Sequence, residues 1–276
     1  MSKSRFARVV CGGVLAALVL GVPLSADHAW NHYHWARTSS SFALTVVNSL
    51  TAEWDPYAAR AAADWSQSTK LDMVENPGGS IADLDRRHCQ GITGQVHICN
   101  LAYGYNQWLG VAGISIDTDG HIFTGYVKLN DSYFGSSFYD TFDWRQSVVC
   151  QELGHVIGLD HQDEDFDNDP LFTCMDYQDP PDPAPNRHDY EQLEAIYGHT
   201  DLYNSYITPS GGGGGGGGGT CNAPPGKGCN KAVVPQGNAR GEWGISLGRR
   251  GARERFLRID ADGTRHVTFV TWAQGR

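Results

Sequence analysis

The 276 residues are 40% hydrophobic with a formal net charge of -10, which supplies apolar material for a real core and excludes a disordered or low-complexity chain. The charge gives no reason to expect a nucleic-acid partner. It also conceals a split: residues 221–276 hold ten Lys or Arg against four Asp or Glu, and residues 27–220 hold eight against twenty-seven. An acidic body with a basic tail fits contact with acidic polymers or cell surfaces, although a merely solvated face is the plainer reading.

The opening residues read as a secretory signal. Lys3, Arg5 and Arg8 precede an apolar run over 9–22, and the small residues Ser25 and Ala26 follow, so cleavage is expected near Ala26 and the protein is expected to be secreted and extracellular. The run is shorter than the ~20 residues of a membrane span, and no later stretch could cross a bilayer. Cys11 leaves with the signal. The six remaining cysteines form three near pairs, Cys89 with Cys99, Cys150 with Cys174 and Cys221 with Cys229. An even number in an exported chain favours disulfides, and pairing by proximity is one of fifteen connectivities.

The body is expected over 27–205. Its leader carries His28, His32 and His34 with no cysteine and no carboxylate at ligand spacing except Asp27, so the histidines read as packing or surface residues. With no cysteine there to block a metal centre, latency by a leader cysteine is not expected. Strands are expected at 42–47, 71–74, 95–99, 111–116 and 121–129, separated by turns such as Asp117-Thr118-Asp119-Gly120. Trp54, Tyr57, Ala58, Ala61, Ala62 and Trp65 recur at helical spacing, predicting a helix over 54–66 with an apolar face turned to the core. A second helix should begin at 141–144 and end at Gly158, and a third should cover 187–197. The nine glycines of 211–219 can only be a flexible linker, placed within 206–220. Beyond lies a small basic β-rich tail over 221–276, with alternation at 265–272. A helix, several strands and a second helix make an α+β arrangement.

The second helix carries the most informative stretch, Gln151-Glu152-Leu153-Gly154-His155-Val156-Ile157-Gly158-Leu159-Asp160-His161. Against the extended zinc-protease pattern H-E-x-x-H-x-x-G-x-x-H it departs only at the first histidine, where Gln151 stands. Gln151 and His155, four apart, share a helix face, and a glycine at 158 lets the chain turn sharply and return His161 to the same point. Hydrolytic zinc takes three protein ligands and leaves a position for water. His155 and His161 supply two, Gln151 stands in the third place, and Glu152 is the base that takes a proton from that water.

Here the sequence resembles the metzincin zinc endopeptidases, more narrowly their matrixin-like bacterial members, over about residues 40–200. The resemblance implies a twisted mixed sheet packed with the active-site helix, a peptide or protein substrate and Zn2+ as cofactor. Cys174-Met175-Asp176-Tyr177 looks like the family's methionine turn, so that Met175 would floor the site and Tyr177 would steady an oxyanion. A Cys150–Cys174 bond would tie the helix to that turn. Asp160 is one place short of the third ligand. Gln151 offers one neutral carbonyl oxygen, a harder and weaker zinc donor than imidazole, and three outcomes are open. It binds zinc through that oxygen, another residue such as His121 or His188 substitutes, or the fold serves only for binding as a pseudoenzyme. The acidic residues Asp163, Glu164, Asp165, Asp167 and Asp169, and Asp117 with Asp119, have the oxygen chemistry of Ca2+ ligands without an EF-hand pattern. A monomer is expected.

Overall fold

A computed structural model describes residues 28–163, 168–208, 220–234 and 237–274. The expected signal over 1–26, Asp27 and the glycine run 211–219 lie outside these residues.

The chain opens with a two-residue strand, β1 (His34–Trp35), then β2 (Phe42–Ser49), α1 (Asp55–Trp65), β3 (Leu71–Asn76), α2 (Asp83–His88) and β4 (Val96–Leu101). The long strands β5 (Trp108–Ile116) and β6 (His121–Asn130) follow, then the short α3 (Asp131–Phe134), α4 (Phe142–Val156) and α5 (Arg187–Ile196). Three strands close the described chain: β7 (Ile245–Arg250), β8 (Arg253–Ile259) and β9 (Arg265–Trp272). The class is α+β, with a mixed sheet and few helices. No helix among the described residues is long and apolar enough to cross a membrane.

All of these strands belong to one sheet, ordered β3-β2-β4-β6-β5-β9-β8-β7, with β1 pairing β6 off that path. From β3 to β6 the neighbours run parallel, and from β6 onward they run antiparallel. The basic tail, expected as a small module beyond a linker, therefore continues the body's sheet: β9 lies along β5 from Trp108↔Trp272 to Ile116↔Arg265. Charge helps seat it. Arg255 of β8 pairs with Asp160, and Lys227 pairs with Asp119 at 2.7 Å.

The sheet is covered on both faces, which explains why every residue of β5 is buried. One face packs against α4 and, beyond it, α1, whose Ala58, Ala61, Ala62 and Trp65 turn inward as their spacing predicts. Tryptophan indoles are satisfied in that layer: Trp65 Nε1 donates to the Cys150 carbonyl at 2.9 Å and Trp35 Nε1 to that of Val156 at 2.9 Å. The opposite face holds a second core in which Trp108, Val111 and Tyr126 of the body meet Trp243, Phe256 and Trp272 of the tail. Disulfides join Cys89–Cys99, Cys150–Cys174 and Cys221–Cys229.

Lys128 of β6 is buried under the tail, its ammonium 4.8 Å from the Tyr126 ring centre and bonded to Asn238 Oδ1. Burial pulls its pKa from 10.5 down to about 7, with Glu242 pulling the other way. Between those values the unfolded chain holds the extra proton, so this group's penalty is full below about pH 7 and fades as pH rises toward 10.5. Lys128→Met should therefore be more stable than the parent chain near neutral pH, with the difference shrinking steadily as pH is raised. Urea unfolding across a pH series reads this, and a difference independent of pH would place the ammonium in water.

Candidate active site

Helix α4 begins where Thr141 caps it, the hydroxyl accepting from the Trp144 backbone N–H at 3.2 Å. Nearly the whole helix is buried, as a helix wedged between a sheet and α1 must be. It ends at Val156, and Gly158 takes φ +102, where a Cβ would fall 2.3 Å from the Tyr33 carbonyl oxygen. The segment after residue 28 straps this turn: Trp30 N–H donates to Gly158 O at 3.2 Å, and Asp160 N–H donates to His28 O at 2.6 Å. The chain is thereby turned back and His161 is returned to α4.

At that point three polar side chains meet. The Gln151 carboxamide faces donors, so its oxygen is the atom turned to them. It accepts from His161 Nε2 at 2.8 Å and from Arg253 Nε and Nη2 at 2.9 and 3.0 Å. His155 stands edge-on to His161 with ring centres 4.5 Å apart. Its Nδ1 donates to the Leu159 carbonyl at 2.9 Å, which leaves the lone pair on Nε2, and that nitrogen is buried with no hydrogen-bond partner. Burial keeps both imidazoles neutral, holding His155 down to about 3 and His161 well below its ordinary value.

Glu152 is fully buried and points at β5, where Gly110 makes room: a Cβ there would lie 2.5 Å from Glu152 Oε1. The same oxygen accepts from the Thr271 hydroxyl at 2.7 Å. Burial pushes this carboxyl up to about 8 against the pull of Thr271 and Arg253, so near neutral pH it is largely protonated. Met175 is fully buried beneath α4, its sulfur 2.6 Å from where a Gly154 Cβ would sit. The Cys150–Cys174 bond ties that segment to the helix. Tyr177 lies under Arg253, whose guanidinium is 5.1 Å from its ring centre.

The cover over this site comes from the tail. Phe269 of β9 stacks on His155 at 4.3 Å with planes 6° apart, Thr271 holds Glu152, and Arg253 of β8 caps Gln151 and donates to the Asp176 carbonyl at 2.7 Å. The gap left beside Gln151, Asp176 and Tyr177 is about 20 Å³, roughly the room one water needs.

Gln151, Glu152, His155, His161 and Met175 thus come together, with Tyr177 close by through Arg253. Of the substitute ligands, His121 stands at the start of β6 and bonds Tyr203 and Asp201, and His188 packs on His28; neither joins the Gln151 group. Asp160 holds Arg255 and accepts from the His161 backbone N–H at 2.9 Å. Calcium finds no support at the Asp117 turn. There Asp117 Oδ1 accepts from the backbone of Asp119 and His121, its Oδ2 accepts from Tyr203, and Asp119 holds Lys227. Glu164, Asp165 and Asp167 lie outside the described residues. Sequence reasoning missed Arg253, Phe269 and Thr271. A signal was present: 265–272 is apolar at both parities, with Val267 and Phe269 on one and Val270 and Trp272 on the other. That pattern marks a strand covered on both faces.

No family model matches the chain, and no curated protein matches it. Among solved structures it is similar to a hatching enzyme zinc-protease, high choriolytic enzyme 1 of the medaka fish Oryzias latipes, at 12% identity and TM-score 0.35, covering 60% of this chain and 94% of that one. It is also similar to an archaemetzincin of Archaeoglobus fulgidus in complex with malonate, at 13% identity and TM-score 0.32, covering 54% of this chain and 98% of that one.

If β9 seals the site as described, Phe269→Ala should cost about 3–5 kcal/mol in denaturant unfolding, the loss of a fully packed aromatic. It should also expose His155 to an imidazole-acylating reagent, with the adduct located by peptide mass spectrometry. A variant as stable and as unreactive as the parent would remove Phe269 from the core and from the site.

Proposed function

We propose that this chain is an exported zinc-dependent endopeptidase of metzincin type whose site is held closed by its own C-terminal strands. The observation that carries the reading is the meeting of Gln151, His155 and His161, the amide oxygen 2.8 Å from His161 Nε2 and the two imidazoles edge-on at 4.5 Å, with Glu152 one residue along the helix and Met175 beneath it. The donor set fits a metal: His155 Nε2 is a buried lone pair with nothing to bind, and His161 would offer Nε2 once its proton sits on Nδ1, 3.5 Å from Asp160 Oδ1. Gln151, His155 and His161 are the residues that would hold zinc, which when bound supplies a Lewis acid for a peptide carbonyl and acidifies a water.

The remaining chemistry belongs to the chain. Glu152 is placed to accept a proton and return it to the leaving amine. It cannot do so closed, because its carboxyl is neutral and held by Thr271; withdrawal of β9 would admit water, lower its pKa and free it. Arg253 blocks the same site by charge, setting a guanidinium against the oxygen that a dication would need. The Tyr177 hydroxyl, now held by Gln274 and the Ala252 backbone of the tail, would be released with the same strands and is suited to steady an oxyanion. Peptides or proteins are the substrates this arrangement suits.

A second reading, a non-catalytic metzincin-fold binding protein, is favoured by the Arg253 contact itself, since a satisfied Gln151 has no need of a metal. The two separate on full-length Arg253→Ala assayed with a quenched fluorogenic peptide library in the presence of Zn2+. A latent peptidase should show hydrolysis at least about tenfold above the parent chain, as expected when a buried competing charge leaves a donor set. Adding Glu152→Gln should then lower that rate by ~10² to 10⁴. If Arg253→Ala, and Gln151→His combined with it, bind zinc yet cleave nothing, the binding-protein reading stands in its place.

A further inference from the structure

On the far side of β6 from α4, four side chains from three segments of chain point at one place: His34 of β1, His121 at the start of β6, and His199 with Asp201 just beyond α5. The Nε2 atoms of His34, His121 and His199 lie 3.5, 3.4 and 3.5 Å from the same carboxylate oxygen, Asp201 Oδ1. Those of His34 and His199 are 3.2 Å apart. A tetrahedron of donors about 2.0–2.1 Å from a central ion has edges of roughly 3.3–3.4 Å, and these four separations match four of its six edges.

The surrounding hydrogen bonds fix which atoms face inward. His34 Nδ1 donates to the His32 carbonyl at 2.8 Å, leaving a lone pair on Nε2. The Tyr203 hydroxyl gives its hydrogen to Asp117 Oδ2 at 2.9 Å and therefore accepts from His121 Nδ1 at 2.9 Å, so His121 Nε2 is also bare. Asp201 Oδ2 accepts from the Arg37 backbone N–H at 2.9 Å, which turns Oδ1 toward the imidazoles. Two nitrogen lone pairs thus face the same carboxylate oxygen, at 3.5 and 3.4 Å, acceptor against acceptor in need of a positive centre. Imidazoles whose outer nitrogens are held by a carbonyl and by a carboxylate-linked hydroxyl are the orienting arrangement of metal-binding histidines.

We infer that His34, His121, His199 and Asp201 form a second metal site, distinct from the Gln151 group, that binds a tetrahedral divalent transition ion, Zn2+ by its donor set. Four protein donors leave no open position, so the site is structural: it clamps β1 and the segment after α5 to the sheet. His199, with its side chain 55% exposed, is the ligand through which an ion would enter and leave.

The test uses the full chain, purified with its disulfides, stripped of metal by chelation and titrated with Zn2+ against a chromogenic competitor. His155→Ala, which disables the Gln151 group, should still take up one equivalent and gain melting temperature on binding. Adding His199→Ala should weaken that uptake on the order of 100-fold or more and abolish the thermal gain. Co2+ in place of Zn2+ should give the visible bands of a tetrahedral ion in the first variant and not in the second. Because His199 is the least buried of the four, its loss leaves packing intact, and circular dichroism confirms the fold. No uptake by His155→Ala, or uptake indifferent to His199→Ala, would overturn the site; either result leaves the peptidase question to its own assay.

Discussion

The pairing of β9 with β5 is the contact on which the site's chemistry depends. Without it β5 is an edge, its outward backbone groups unpaired and α4's lower face open to water. With it, Phe269 and Thr271 are carried over His155 and Glu152, and β8 follows in register to bring Arg253 to Gln151. The neutral imidazoles, the protonated carboxyl and the buried guanidinium all follow from that closure, because each is a response to the exclusion of water. The opposite charges of body and tail act in the same direction, with Arg255 on Asp160 next to His161 and Lys227 on Asp119 beside β6.

Gln151 is better understood against Arg253 than against the zinc-protease pattern alone. A neutral histidine at 151 would present either one lone pair or one N–H toward His161 and Arg253, and a single lone pair cannot serve three N–H donors. The amide oxygen is less restricted and takes His161 Nε2 and two guanidinium N–H groups together. The residue that weakens the metal set is therefore the one that completes the closed arrangement. Both effects have one cause, a small neutral oxygen where an imidazole nitrogen would stand.

Much of this was legible in the sequence where the signal is local. The turn at Gly158 and the face shared by Gln151 and His155 follow from spacing within a dozen residues, and α1 follows from alanines and tryptophans at helical intervals. The disulfide pairs were close in sequence. Strand pairing is not local, and there the reading stopped. Residues 265–272 look like a strand, yet nothing within them names β5 as the partner, and β1 is too short to show a period. Arg253 was invisible for the same reason: as one of ten cations in the tail it reads as surface charge until the register of β8 puts it beside Gln151. The histidines of the leader read as packing residues, and His28 and His34 are buried; nothing near them names His34's companions, which lie 87 and more residues further on, at His121, His199 and Asp201.

The two histidine groups are linked through one strap of chain. Residues 28–35 lie across the turn that ends α4, with Tyr33's carbonyl against Gly158, Trp30 bonded to the Gly158 carbonyl and His28 receiving the Asp160 N–H. Those contacts fix where His161 returns. The strap is itself short, its strand only two residues long, and such an element has little stability of its own. Its far end is held by His34 in the cluster with His121, His199 and Asp201, and by Trp35 bonded to the Val156 carbonyl. An ion in that cluster would tighten the strap, and through the strap the position of His161, without touching the Gln151 group. The geometry of the candidate active site is in this sense secured from both sides, by β9 across its mouth and by the strap behind its turn.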